Sequence, residues 1–148
     1  MTKHTAFLLI ALLLPQAARA TDWVALGEIP GARVFLDKDS VQVIGDDIMA
    51  RLKYAYNRAQ PAQTISQGSP FDSTVNQYYL VCSTQQYQVL ELQVFHKGKP
   101  VGSFHANPDP KERDAAKLGT GVMLLIKAVC PGPNSRNPHQ DGRQTTTG

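Results

Sequence analysis

From residue 22 onward, apolar and polar positions alternate in short runs separated by turn signals. "DWVALGEI" meets the turn "PGA", "RVFLD" runs to the polar turn "KDS", "VQVI" follows, and "GDD" leads into "IMARLKYAY". This alternation predicts β-strands. In the last run Ile48, Ala50, Leu52, Tyr54 and Tyr56 share one face, and Met49, Arg51, Lys53 and Ala55 the other. One face is expected to be buried and the other mostly wet.

Residues 57–73, "NRAQPAQTISQGSPFDS", break the pattern and read as a long polar loop. Loops of that length in compact domains are usually functional or mobile. Strands resume with "STVNQYYLVC" and "YQVLELQVF", and "HKGKP" turns the chain into "VGSF". With no helix between them, the strands predict a six-stranded antiparallel meander sheet.

Past residue 110 the period changes: Leu118, Val122, Leu125, Ile126 and Val129 recur at helical spacing. Gly119 and Gly121 weaken the start, so Thr120 is the expected N-cap, and Pro131 helps end the helix. So short a helix must be held by packing on the sheet. The fold class is α+β. Residues 131–148 have almost no apolar side chains and read as a disordered tail.

Residues 1–20, "MTKHTAFLLIALLLPQAARA", combine a basic head, a short apolar run and small residues at a cleavage point. They read as a secretory signal peptide, since the apolar run is too short to span a bilayer. The mature chain is then about 128 residues, enough for one domain. The whole chain carries a net charge of +3. Without Lys3 and Arg19 it has 13 basic and 12 acidic residues, net +1, which is no footprint for nucleic acid. The expected destination is the periplasm or the medium, and the cleavage point carries no cysteine for a lipid anchor.

Export changes the meaning of the two cysteines, because disulfides persist outside the cytosol. Cys82 shares a strand face with Leu80 and Tyr78, and helical spacing puts Cys130 beside Ile126 and Val122. A Cys82–Cys130 bond pinning the helix to the sheet is expected; the alternative is two separate buried thiols.

A search for chemistry is mostly negative. There is no Gly-x-Ser-x-Gly elbow, phosphate loop or His-Glu-x-x-His helix. "GTG" at 119–121 lacks the third glycine and preceding strand of a nucleotide site. His96 and His105 flank "KGKP", and a metal or acid–base role would need a third ligand or a carboxylate such as Asp109. Solvated histidines are the better reading, and no cofactor or metal is expected. Of the tyrosines, Tyr54 and Tyr56 are assigned to the core, whereas Tyr78 and Tyr79 must point to opposite faces. The candidate binding surface is therefore Arg51, Lys53, Tyr79, Lys97 and Lys99.

"DWVALGE", "ARVFLDKDSV", "LKYAY", "YYLVCSTQQYQVLELQVF" and "GVMLLIKAVC", in that order, resemble the surface-adhesin protein E family of small exported bacterial proteins. The likeness makes residues 21–130 one domain. It implies a single antiparallel sheet with a C-terminal helix linked through the two cysteines, and a binding role, for the founding type attachment to host extracellular proteins. The chain departs from that type in lacking a lipid-attachment cysteine. The favoured reading is an exported, non-enzymatic protein-binding domain acting by surface complementarity on a host protein or an envelope component. The alternative is a periplasmic structural or stress-related envelope protein with no host ligand. Unpaired strand edges also permit a homodimer.

Overall fold

A computed structural model describes residues 21–132. The expected signal peptide and the expected tail from residue 133 lie outside the described residues. Strands β1 (Trp23–Ile29), β2 (Ala32–Ile44), β3 (Asp47–Gln60), β4 (Phe71–Val81), β5 (Gln86–His96) and β6 (Lys99–His105) lie side by side in chain order. Every neighbouring pair is antiparallel. The expected meander is present, with one addition: a two-residue strand, β7 (Asp114–Ala115), pairs with the start of β5. Helix α1 (Gly121–Val129) follows, with Thr120 as its N-cap.

Two segments differ from the expectation. "RVFLD" and "VQVI" are one strand, β2, because "KDS" forms a bulge rather than a turn. Ser40 stitches it: its Oγ donates to the Asp37 carbonyl at 2.6 Å and accepts the Arg51 N–H at 2.8 Å. A side chain thus supplies bonds that the irregular ladder cannot. The second difference is the long loop. Both flanking strands extend into it, and residues 61–70 close around a 3-10 turn at Thr64–Ser66. Ser66 is fully buried, accepts the Gln63 N–H at 2.9 Å and donates to the Ser69 carbonyl at 2.6 Å.

That segment and α1 cover the same face of the sheet. At one end Val122, Leu125 and Ile126 of α1 pack on Val34, Leu36, Ile48, Ala50, Leu52, Tyr78 and Leu80. Burying an aliphatic side chain of this kind is worth about 1.5–3 kcal/mol, which holds a nine-residue helix that would be marginal alone. Cys82 and Cys130 are bonded, with Cα atoms 5.5 Å apart, fixing the helix C-terminus to the end of β4. At the other end the 61–70 backbone lies directly over Gly102, so that a Cβ there would collide with the Ile65 carbonyl. Tyr56 and Phe71 stack edge-on at this end, with centroids 5.7 Å apart.

Between the two covers the core turns polar. The Tyr54 and Tyr78 hydroxyls are 3.1 Å apart, and the Asn76 amide donates to Tyr78 at 3.0 Å. Burial, reinforced by Tyr78, raises the Tyr54 phenol far above its ordinary range. Burial also raises Tyr78, against the opposing pull of its hydrogen bonds with Tyr54 and Asn76. Both tyrosines are neutral fillers of the core.

Candidate binding surface

Alternation sends the intervening residues to the opposite face. One row there runs Trp23, Asp37, Arg51, Gln77 and Glu91, and the next runs Ala25, Phe35, Lys53, Val75 and Gln93. Trp23, Phe35, Lys53, Val75 and Tyr79 are half-buried, and Arg33 and Arg51 are exposed. The two covers, α1 and residues 61–70, leave this face open.

Three cations on it rest over aromatic rings. Lys53 Nζ lies 5.8 Å from the Trp23 centroid, the Arg33 guanidinium 5.8 Å from Phe35, and the Arg113 guanidinium 5.2 Å from Tyr79. Such contacts contribute about 0.5–1 kcal/mol each at exposed sites and more when desolvated, so a partner that covers them strengthens them. Tyr79 also donates to Asp47 Oδ2 at 2.7 Å. That bond first, then burial and the Asp47 charge, raises the Tyr79 phenol, with Arg113 acting the other way. Arg51 is partly committed already, its Nη1 being 3.9 Å from Oδ2 of the buried Asp37.

The structure brings Arg51, Lys53 and Tyr79 of the sequence candidates onto this one face. Lys97 and Lys99 sit apart from them at the β5–β6 hairpin, where Lys97 and Gly98 take the positive φ values of a tight turn and the Lys97 N–H donates to Asp72 at 2.6 Å. Trp23, Arg33, Phe35 and Arg113 belong to the surface and were not picked out from the sequence. Alternation within "RVFLD" already sets Arg33 and Phe35 on one face. Arg113 reaches Tyr79 only through the path of residues 106–115, which no local pattern encodes.

His96 ends β5 opposite Lys99, and His105 ends β6 opposite Glu91. Among the described residues no three His, Cys, Asp or Glu side chains are grouped to hold a metal. The N-terminus of α1 is closed by the Thr120 hydroxyl, 3.4 Å from the Met123 nitrogen, and by the ring of Tyr54 against Gly121. No described helix is long and apolar enough to cross a membrane.

A disulfide-pinned helix and a folded-in loop on one side of a meander, with cation-capped aromatics on the other, define a small α+β domain with one sheet face that the helix and the loop leave open. The family model for surface-adhesin protein E matches residues 23–131, and the chain belongs to that family. No curated protein matches it. Membership supports an adhesin-like, exported surface role.

Proposed function

We propose that the chain is a non-enzymatic binding domain that holds a protein partner, an extracellular host protein or an envelope component, by complementarity over its open sheet face. The observation that carries this reading is the set of three cation-capped rings on that face. Aromatics and arginine are enriched where interfaces bury their core, because they bring large contact area with a polar tip. Family membership supports the same reading. Residues Arg51, Lys53 and Tyr79 would contribute to the contact; Lys97 and Lys99 would border it at most.

The test is binding of the purified protein to a panel of immobilised extracellular-matrix proteins, for the native chain and for an Arg33→Glu/Lys53→Glu variant. The variant is expected to keep its unfolding midpoint and to lose at least tenfold in affinity for whichever matrix protein the native chain binds. Equal affinity in the two chains, or no binding across the panel, would refute the open face as a host-protein site. Protease shaving of intact cells supplies the location: an adhesin is expected to be cleaved.

A further inference from the structure

The edge of the sheet beside β5 and β6 holds an apolar groove with a charged rim. Between β6 and β7 the chain bows away from the edge of β5, leaving a cavity of about 570 Å³. Tyr87, Val89 and Phe104 supply its apolar lining, while Asp109, Glu112 and Asp114 line it with carboxylates. Phe104 is 46 % exposed, a large apolar side chain left half in water.

The groove is preformed. Gln88, although 5 % exposed, uses both ends of its amide on the bowed segment: Nε2 donates to the Asn107 carbonyl at 3.0 Å and Oε1 accepts the Asp109 N–H at 2.8 Å. Asp109 in turn accepts the Lys111 N–H at 2.9 Å, fixing the turn that carries Glu112. The sequence "ERD" then sorts its charges: Glu112 and Asp114 line the groove, while Arg113 stacks on Tyr79 on the open face. Arg113 is thereby turned away from the carboxylates on either side of it in the chain. Burial, and then the Asp114 charge, raises the Tyr87 phenol, so this ring stays neutral.

We propose that this groove is a second docking site, which takes an arginine side chain presented on an extended segment of a protein partner. The chemistry is complementary part by part. An arginine stem packs on apolar surface, its guanidinium lies over an aromatic face, and its N–H fork matches carboxylate geometry. An anionic segment would meet three carboxylates with no cation among the groove-lining residues. The cavity falls within the range of about 300–1,000 Å³ usual for binding clefts, so the residues flanking the arginine have room as well. The site is independent of the open sheet face, and either could fail alone.

The test is fluorescence anisotropy of the full chain with a labelled, capped Ala-Arg-Leu-Arg-Ala peptide, with versions carrying glutamate or citrulline in place of arginine. The arginine peptide is expected to bind saturably, at least tenfold tighter than either substitute. Glu112→Gln/Asp114→Asn and Phe104→Ala, all at exposed positions, are each expected to cost about tenfold at unchanged unfolding midpoint, consistent with losing the two carboxylates in the first and the aromatic contact in the second. The open-face variant Arg33→Glu/Lys53→Glu is expected to bind the peptide as the native chain does. Absence of binding at millimolar peptide, equal binding of the glutamate peptide, or full affinity in both groove variants would overturn the proposal. So would a loss confined to the open-face variant.

Discussion

The ring of Tyr54 occupies the space that a side chain on Gly121 would need: a Cβ on Gly121 would lie 2.5 Å from Tyr54 Cε1 and 2.6 Å from its hydroxyl. The first turn of α1 therefore rests on the sheet through bare backbone. Tyr54 is in turn held by its 3.1 Å contact with Tyr78, so neither partner can yield cheaply.

This contact reverses the sign expected for Gly121→Ala. Helix propensity alone favours alanine by about 1 kcal/mol. Overpacking against a ring packed on the core costs about 1–3 kcal/mol, and the bond that ties Tyr54 to the buried Tyr78 places it toward the upper end. The variant is expected to melt lower than the native chain by roughly 5 °C in a domain of this size, as read by thermal unfolding. A raised melting temperature would show that the helix can lift off Tyr54 freely.

Gly102→Ala should act locally instead. The added methyl would meet the Ile65 carbonyl, which belongs to the 61–70 cover and not to the sheet. Hydrogen exchange is expected to speed up at the amides of Ser66, Gln67 and Ser69, which now donate within that turn, while the amides of α1 stay protected. Unchanged protection at 66–69 would mean that the loop is held without its contact on β6.

The meander and the helix were legible because their signals are local. Strand alternation and helical spacing each span a few residues, and the Thr120 cap precedes the first helical turn directly. What escaped depends on contacts made at a distance. "KDS" carries turn residues, yet Ser40 bonds the Arg51 backbone of the next strand and turns the segment into a bulge. Residues 61–70 are polar by composition, and only the missing side chain of Gly102, more than thirty residues on, lets their backbone fold down as a cover. The candidate surface divided in the same way. Arg51 and Lys53 follow from period two within one strand, whereas Lys53 over Trp23 joins strands that are not even neighbours in the sheet.

Removing the disulfide tests the pinned helix. Cys82 and Cys130 are 48 residues apart, and opening a loop of that length costs about 4 kcal/mol through the unfolded chain. That is a large part of the 5–15 kcal/mol typical of a domain. A Cys82→Ser/Cys130→Ser variant is expected to show a urea midpoint lower by roughly 2 M. A midpoint within error of the native chain would mean that the apolar face of α1 holds the helix unaided.

The buried tyrosine pair predicts a steep loss of stability in alkali. Tyr54 and Tyr78 have folded-state pKa values raised above the ordinary 10.0, chiefly by burial. The folded chain therefore keeps protons that the unfolded chain has released, and stability falls as pH rises through and beyond 10. Each group contributes a slope of up to about 1.4 kcal/mol per pH unit, so the pair can remove roughly 2.7 kcal/mol per unit. Well below pH 10 the two contribute no slope, because they are protonated in both states. Absorbance at 295 nm should show these two phenols ionising only as the far-ultraviolet dichroism collapses. A Tyr54→Phe variant should halve this part of the alkaline slope, because only Tyr78 then remains to be ionised. Complete ionisation of all five tyrosines with the dichroism intact would show that water reaches the seam between the two covers, and would defeat the assignment of Tyr54 and Tyr78 to the core.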